Sequence, residues 1–102
     1  MKRIFTGLVL SAVMVLTCSA STQEQFLQAQ SDSKNLPERP DNMTLLKMYA
    51  LFKQGSVGDV GGTRPGSSNA VERAKWDAWA TLKGKSGEAA MHEYVDLIES
   101  LK

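Results

Sequence analysis

Residues 49–79 read YALFKQGSVGDVGGTRPGSSNAVERAKWDAW, and this stretch decides the fold. It contains two basic, aromatic segments separated by a glycine-rich stretch. Tyr49, Phe52 and Lys53 are three and four residues apart, so two rings and an ammonium group share one helix surface. The second segment, AKWDAW, has the same character. The pattern predicts two helices with a surface suited to a ligand that has phosphate groups and an apolar part.

Glycine and proline crowd residues 55–66, and this density predicts a long connection between the two helices. The sequence GSVGDVGGTRPG does not have the G-x-x-x-x-G-K-[ST] order of a nucleotide-binding loop. It also follows a predicted helix instead of a strand. We therefore interpret the stretch as a connector and place the binding of phosphate elsewhere.

Helical spacing of apolar residues continues on both sides of this stretch. It predicts four helices, over residues 21–36, 42 to about 57, 70 to about 83, and 86–101. Ser21, Asp41 and Ser86 are suitable N-caps, and Gly84 suits the end of the third helix. The pattern contains no strand signal and no internal repeat. The predicted fold class is an all-α four-helix bundle.

Residues 1–20 have the layout of a secretory signal. Lys2 and Arg3 precede an uncharged stretch that ends in Thr17-Cys18-Ser19-Ala20. Cleavage after Ala20 would leave a domain of residues 21–102, and the predicted location is secreted or periplasmic. Alternatives are a retained signal-like helix that contacts the membrane as an anchor, a lipoprotein modified at Cys18, or a cytoplasmic protein whose translation starts downstream.

Composition excludes several classes of function. Of the 12 basic residues, Lys2 and Arg3 lie in the predicted leader, which leaves 10 against 11 acidic ones and predicts no binding of nucleic acid. Cys18 is the only cysteine and His92 the only histidine, so the usual nucleophile and base pairs and metal-ligand sets are missing. We predict no catalytic residue, metal ligand or cofactor, and an exposed position for His92.

The motifs Y-x-x-F-K-Q-x-x-V-G-D, R-P-G and A-K-W-D-A-W resemble the signature of the acyl-CoA-binding protein family. The resemblance covers residues 21–102 without an insertion. It implies an up-down-down-up bundle whose shallow bowl holds the CoA head group and shields the acyl chain. The implied function is a non-catalytic carrier of long-chain acyl-CoA esters, expected to be a monomer. The alternative is an exported or membrane-anchored interaction module that has kept the scaffold and lost or weakened CoA binding.

The resemblance also implies a set of ligand-binding residues. Tyr49, Lys53 and Lys75 would contact the CoA phosphates, and Tyr94 would complete the polar site. The remaining implied positions are Phe26, Ala29, Lys34, Arg39 and Phe52. Phe52 replaces a common Tyr, Arg39 a common Lys and Val71 a frequent basic residue. From the changes at Phe52 and Val71 we expect weaker binding of the head group.

Overall fold

Four α-helices form the regular structure of residues 20–102, the part of the chain that the computed structural model describes. They are α1 (Thr22–Asp32), α2 (Asn42–Ser56), α3 (Ala70–Ala80) and α4 (Gly87–Ser100), and a 3₁₀ turn at Ser33–Asn35 follows α1. This part of the chain has no β-strand, which confirms the all-α prediction. The predicted signal-like helix falls within residues 1–19 and lies outside the described residues.

Among residues 20–102, none of the helices combines the length and the apolar character that crossing a bilayer requires.

Side-chain caps confirm the predicted starts of α1, α2 and α4. At the start of α1, the Glu24 amide donates to the Ser21 hydroxyl at 3.1 Å, and the Ser21 amide donates to the Glu24 carboxylate at 3.0 Å. Asp41 accepts the Thr44 amide at 2.8 Å before α2, and Ser86 accepts a backbone amide at 3.1 Å before α4. Each cap satisfies an amide that has no partner within its own helix.

Two helix ends differ from the prediction. The α-helical part of α1 ends at Asp32, because the chain tightens into the 3₁₀ turn before Pro37. Helix α3 ends at Ala80, where the prediction extended it to about residue 83. Beyond it the chain forms turns in which Gly84 has a φ of +92°, a conformation that suits glycine. The Gly84 amide donates to Asp59 at 2.8 Å, and this long-range bond connects the turn to the glycine-rich stretch.

Contacts at both ends show that α1 and α4 run in the same direction. Near their N-terminal halves, Thr22 Oγ1 and His92 Nε2 are 3.3 Å apart. Near their C-terminal ends, Lys102 Nζ lies 2.9 Å from a carboxylate oxygen of Asp32. His92 is exposed, as predicted.

Helices α2 and α3 also run in the same direction. Tyr49 of α2 pairs with Lys75 of α3. One turn further along both helices, Lys53 pairs with Trp79. Helix α4 runs opposite to α2. Its first residue, Gly87, lies against the carbonyl of Gly55 near the end of α2, and its later residue Tyr94 meets the earlier Phe52. These directions give an up-down-down-up order.

The buried core lies between α1, α2 and α4. It consists of Phe26, Ala29, Leu51, Ala90, Tyr94 and Ile98. Helix α3 packs on α2 from outside this core, where Trp79 is 8% exposed. The candidate site lies at this contact between α2 and α3, outside the main core.

Candidate functional site

Two lysine–ring pairs connect α2 and α3. Lys53 Nζ lies 4.9 Å from the centroid of the Trp79 ring, and Lys75 Nζ lies 4.8 Å from that of Tyr49. Both distances are within the range of cation–π attraction. Each helix supplies one lysine and one ring, and the two pairs occupy successive turns. Two ammonium groups are thus held along one short stretch of surface, where they can donate hydrogen bonds to an anion.

Lys75 already has one carboxylate neighbour, because Glu72 lies 3.5 Å away on the same helix. This ion pair has the i, i+3 spacing, and the Glu72 side chain is exposed, so its contribution to stability is small. A phosphate that makes direct hydrogen bonds can replace such a partner at little cost. The pair therefore leaves Lys75 available to a ligand.

An aromatic cluster lies beside the lysine–ring pairs. The Phe26 ring is stacked on Phe52 at 6.2 Å and meets Tyr94 edge-on at 5.3 Å. Phe26 and Tyr94 are buried, whereas Phe52 is half-buried. Among these three rings, Phe52 presents the most surface to a ligand, and it directly precedes Lys53.

A groove of about 480 Å³, called the first groove here, opens between the N-terminal ends of α2 and α3. Its apolar lining consists of Leu45, Leu46, Ala70, Val71 and Ala74, and Arg39 and Asn42 also line it. Leu45 is one turn before Tyr49, and Ala74 directly precedes Lys75. The Tyr49–Lys75 pair therefore follows one end of the groove along both helices, and the Lys53–Trp79 pair lies one turn further on. This arrangement fits a ligand with a charged head and an apolar chain.

Gln54 is the buried polar residue that fixes this geometry, with an exposed fraction of 1%. Its amide nitrogen donates to the Lys85 carbonyl at 2.8 Å and to Asp59 at 2.9 Å, and its oxygen accepts from Trp79 Nε1 at 3.2 Å. The same indole nitrogen donates to the Gly58 carbonyl at 2.8 Å. These bonds orient the Trp79 ring over which Lys53 lies.

Asp59 connects the glycine-rich stretch to the turn before α4. The backbone N–H of Gly84, and after it the Gln54 amide, donate to the carboxylate and hold the pKa of Asp59 below its ordinary value. Hydrogen bonds to the charged form of a carboxyl group favour ionisation. Asp59 therefore joins two loops most firmly when it is charged.

The rest of the glycine-rich stretch is bound to α3. Arg64 donates two hydrogen bonds of 2.7 Å to Asp77, and these bonds hold the pKa of Asp77 below its ordinary range. Trp76 Nε1 donates to the Gly61 carbonyl at 3.2 Å. These contacts agree with the interpretation of the stretch as a connector that sets how α2 and α3 face each other.

A family model described as Acyl CoA binding protein matches residues 23–98, which include all four helices almost completely. The chain belongs to this family. An acyl-CoA-binding protein homolog of Drosophila melanogaster is 47% identical over 78 residues, which are 76% of this chain and 91% of that protein. An acyl-CoA-binding protein of Ricinus communis is 43% identical over 79 residues, 78% and 88% of the two chains.

Solved structures of the acyl-CoA-binding family have the same fold. Acyl-CoA-binding protein 2 of Oryza sativa superposes with a TM-score of 0.76 at 41% identity, over 78% of this chain and 87% of that one. The protein from Moniliophthora perniciosa gives 0.74 at 34% identity, over 81% and 82%. The sequence identities of 41% and 34% show membership of the same family as well as a shared fold.

The structure brings together six of the nine residues that the family resemblance implied. Tyr49, Lys53 and Lys75 meet between α2 and α3, and Phe26, Phe52 and Tyr94 form the adjoining aromatic cluster. Their contact with a ligand stays a prediction.

The other three implied residues occupy different surroundings. Ala29 is buried in the core, as is Phe26 of the aromatic cluster, so both support the site from behind its surface. Arg39 is exposed and lines the first groove, and Lys34 is exposed in the 3₁₀ turn after α1. Binding of a ligand by these residues also stays a prediction.

Sequence reasoning missed Gln54 and the lining of the first groove. Gln54 was part of the quoted motif, and its position beside the buried Ala50 and Leu51 was a usable signal, since a polar residue on a buried face needs partners. The spacing of Ala70 and Ala74 on one side of α3 was a weaker signal for the lining of the first groove. Val71 was interpreted as a change at the head group, whereas the structure places it in the apolar lining of the groove.

Proposed function

We propose that this protein binds long-chain acyl-CoA esters and carries or buffers them without catalysing a reaction. The observation that carries the proposal is the position of the two lysine–ring pairs at one end of the first groove. The names of its relatives from Drosophila melanogaster and Ricinus communis support the same ligand class.

An acyl-CoA ester has the two chemical parts that this site can accommodate. Its diphosphate and ribose phosphate accept hydrogen bonds from Lys53 and Lys75, each worth roughly 1.5–3 kcal/mol when a charged group takes part. Its alkyl chain enters the first groove, where each buried methylene contributes about 0.8 kcal/mol. The two contributions together offset the cost of association.

The aromatic residues would complete the site. Phe52 offers a half-buried ring against which the head group packs, and the Tyr94 hydroxyl supplies a further donor to it. Arg39, at the first groove, and Lys34 would add positive charge around the ligand. None of these groups forms a nucleophile and base pair, which is why we propose binding without chemistry.

Isothermal titration with palmitoyl-CoA, free CoA and palmitate tests the proposal. We expect palmitoyl-CoA to bind most tightly, free CoA more weakly and palmitate weakest. Lys53→Ala combined with Lys75→Ala should lower the affinity for palmitoyl-CoA at least about a hundredfold, since two charged hydrogen bonds are lost. Lys83→Ala, which removes an exposed lysine from the turn after α3, is the matched control and should change the affinity little.

Three results would contradict the proposal. Equal affinity for palmitate and palmitoyl-CoA would show that the head group is not recognised. An unchanged affinity in the double variant would show that the two lysines do not contact the ligand. Release of free thiol during incubation with palmitoyl-CoA would contradict the non-catalytic part.

The location of the carrier is a separate proposal. We infer export from the leader pattern of residues 1–20, with Ser21 as the first residue of the mature chain. Intact mass measurement of the protein from its natural host distinguishes this start from Met1 or a lipidated Cys18. Gel filtration with light scattering tests the proposed monomer.

A further inference from the structure

A second groove of about 390 Å³ lies between α2, α3 and α4, and the proposed function does not use it. Its apolar lining consists of Met43, Leu46, Ala50, Leu51, Ala78 and Leu82. On α2, Lys47 and Leu51 lie more than about 100° around the helix axis from Tyr49 and Lys53, because successive residues turn by about 100°, whereas Leu46 lies on the side of Lys53. The four residues of the lysine–ring pairs do not line the second groove.

The two grooves adjoin each other at Leu46, which lines both. On α3 the first groove ends with Ala74 and the second begins with Ala78, which is one helical turn, or roughly 6 Å, further along. Both residues are alanines, so small side chains face α2 where the grooves meet. Leu46 is half-buried and is the one large side chain that lines both grooves.

Two of the three polar side chains that line the second groove are already engaged within the protein. The Thr81 hydroxyl donates to the Ala78 carbonyl at 2.6 Å, and Glu93 forms an ion pair with Lys85. Lys47 is exposed to solvent. Ligand sites that orient a polar molecule use a few convergent polar groups. This groove offers an apolar surface instead, which suits an alkyl chain that needs no hydrogen-bonding partner.

We propose that the far end of the longest acyl chains passes Leu46 and occupies the second groove. This inference rests on the proposed function, because the chain enters from a head group held by Lys53 and Lys75. Shorter chains end within the first groove and leave the second one unused. The second groove thereby sets the upper end of the chain-length preference.

The test is a series of titrations from octanoyl-CoA to docosanoyl-CoA. In the unchanged protein, affinity should keep rising for the longest chains, by up to about fourfold for each additional buried methylene. Ala78→Leu fills the second groove and should remove the gain for the longest chains alone. Ala74→Leu fills the first groove and should weaken every acyl chain, octanoyl included. Neither variant should change the binding of free CoA.

A second pair of variants changes exposed groove residues and leaves the alanines between α2 and α3 in place. Met43 is 81% exposed in the second groove and Val71 is 71% exposed in the first, so serine at either position leaves the core intact. Met43→Ser should weaken only the longest chains, by roughly fourfold, the effect of about one methylene. Val71→Ser should weaken shorter chains as well. If circular dichroism shows that Ala78→Leu does not fold, Met43→Ser and Val71→Ser test the inference in its place.

A further measurement locates the chain end directly. With docosanoyl-CoA labelled with ¹³C at its terminal methyl, we expect nuclear Overhauser contacts to the methyl groups of Leu82 or Ala78. Contacts confined to Leu45 and Val71, or equal weakening of all chain lengths by Ala78→Leu and Met43→Ser, would overturn the inference while leaving the carrier intact. Absence of any acyl-CoA binding would overturn the proposed function itself.

Discussion

The side-chain oxygen of Gln54 accepts a hydrogen bond of 3.2 Å from the indole nitrogen of Trp79. Gln54 belongs to α2 and Trp79 to α3, and the ring held in this way is the one that Lys53 covers at 4.9 Å. A buried amide thus determines where a surface ammonium group lies. The stability of the α2–α3 contact and the geometry of the candidate site depend on the same residue.

Gln54→Leu should lower the free energy of unfolding by about 1–3 kcal/mol, because the Lys85 carbonyl and Asp59 lose a donor in a part-buried region. Trp79 keeps its bond to the Gly58 carbonyl, so the fold should survive. Urea unfolding followed by tryptophan fluorescence measures the change. Gln23→Leu, at an exposed position of α1, is the matched control and should stay within about 0.5 kcal/mol of the unchanged protein. Equal effects of the two substitutions would contradict the role of Gln54.

Gly55→Ala should destabilise the protein, although alanine usually favours a helix by about 1 kcal/mol over glycine. A methyl group at Gly55 would lie 3.1 Å from Phe26 Cζ and 3.2 Å from Met91 Cγ. Phe26 is fully packed, so crowding of about 1–3 kcal/mol outweighs the helix preference. Thermal unfolding measures the loss.

Two comparisons make the Gly55 prediction specific. Gly61→Ala adds the same methyl group where nothing lies within 4 Å, and it should be nearly neutral. Adding Phe26→Leu should reduce the cost of Gly55→Ala, since the crowded ring atom is removed. An equal cost of Gly55→Ala in both backgrounds would show that Phe26 does not cause it.

Phe52→Tyr should raise the affinity for palmitoyl-CoA by about three- to tenfold, because the half-buried ring would gain a hydroxyl that can donate to the head group. The fold should be unaffected, since the ring keeps its packing beside Phe26. Isothermal titration with palmitoyl-CoA and free CoA measures the gain, which should appear with both ligands. Tyr94→Phe, the opposite change in the same aromatic cluster, should weaken both. A Phe52→Tyr gain limited to palmitoyl-CoA would place the ring at the chain instead of the head group.

Acidification should destabilise the protein partly through Asp59. The folded-state pKa of Asp59 lies below its unfolded value, because the Gly84 amide and then the Gln54 amide bind the charged carboxylate. Its contribution is therefore complete above the unfolded pKa and disappears as the pH falls through the folded pKa. Asp77, Asp32, Asp41 and Glu24 have pKa values lowered in the same direction and add to the loss.

Asp59→Asn isolates this contribution. The variant should be less stable than the unchanged protein at about pH 7, and the difference should be smaller at about pH 3, below the unfolded pKa of about 3.9. Urea midpoints at both pH values measure the difference. Asp96→Asn, on the exposed side of α4, is the control for removing one negative charge. A stability difference between Asp59→Asn and the unchanged protein that does not depend on pH would rule out the carboxylate charge as its cause.

Local signals in the sequence were sufficient to predict the class of the fold and most helix starts. Ser21, Asp41 and Ser86 cap their helices through bonds that span three residues, so the information needed to place them is contiguous. The end of α3 could not be placed in this way. It depends on the bond between the Gly84 amide and Asp59, whose residues are 25 positions apart.

Some features of the candidate site could likewise be predicted from local sequence, and others could not. Spacing placed Tyr49, Phe52 and Lys53 on one surface of α2, and the family signature added Lys75 and Tyr94. The pairing of each lysine with a ring of the other helix came only from the tertiary structure, as did the burial of Gln54 and the two grooves that meet at Leu46. Helix periodicity gives the direction in which a side chain leaves the axis of its own helix. A groove or a hydrogen bond between helices depends on how two helices approach each other. That approach is set by packing across the whole bundle, and it decided which residues form the site.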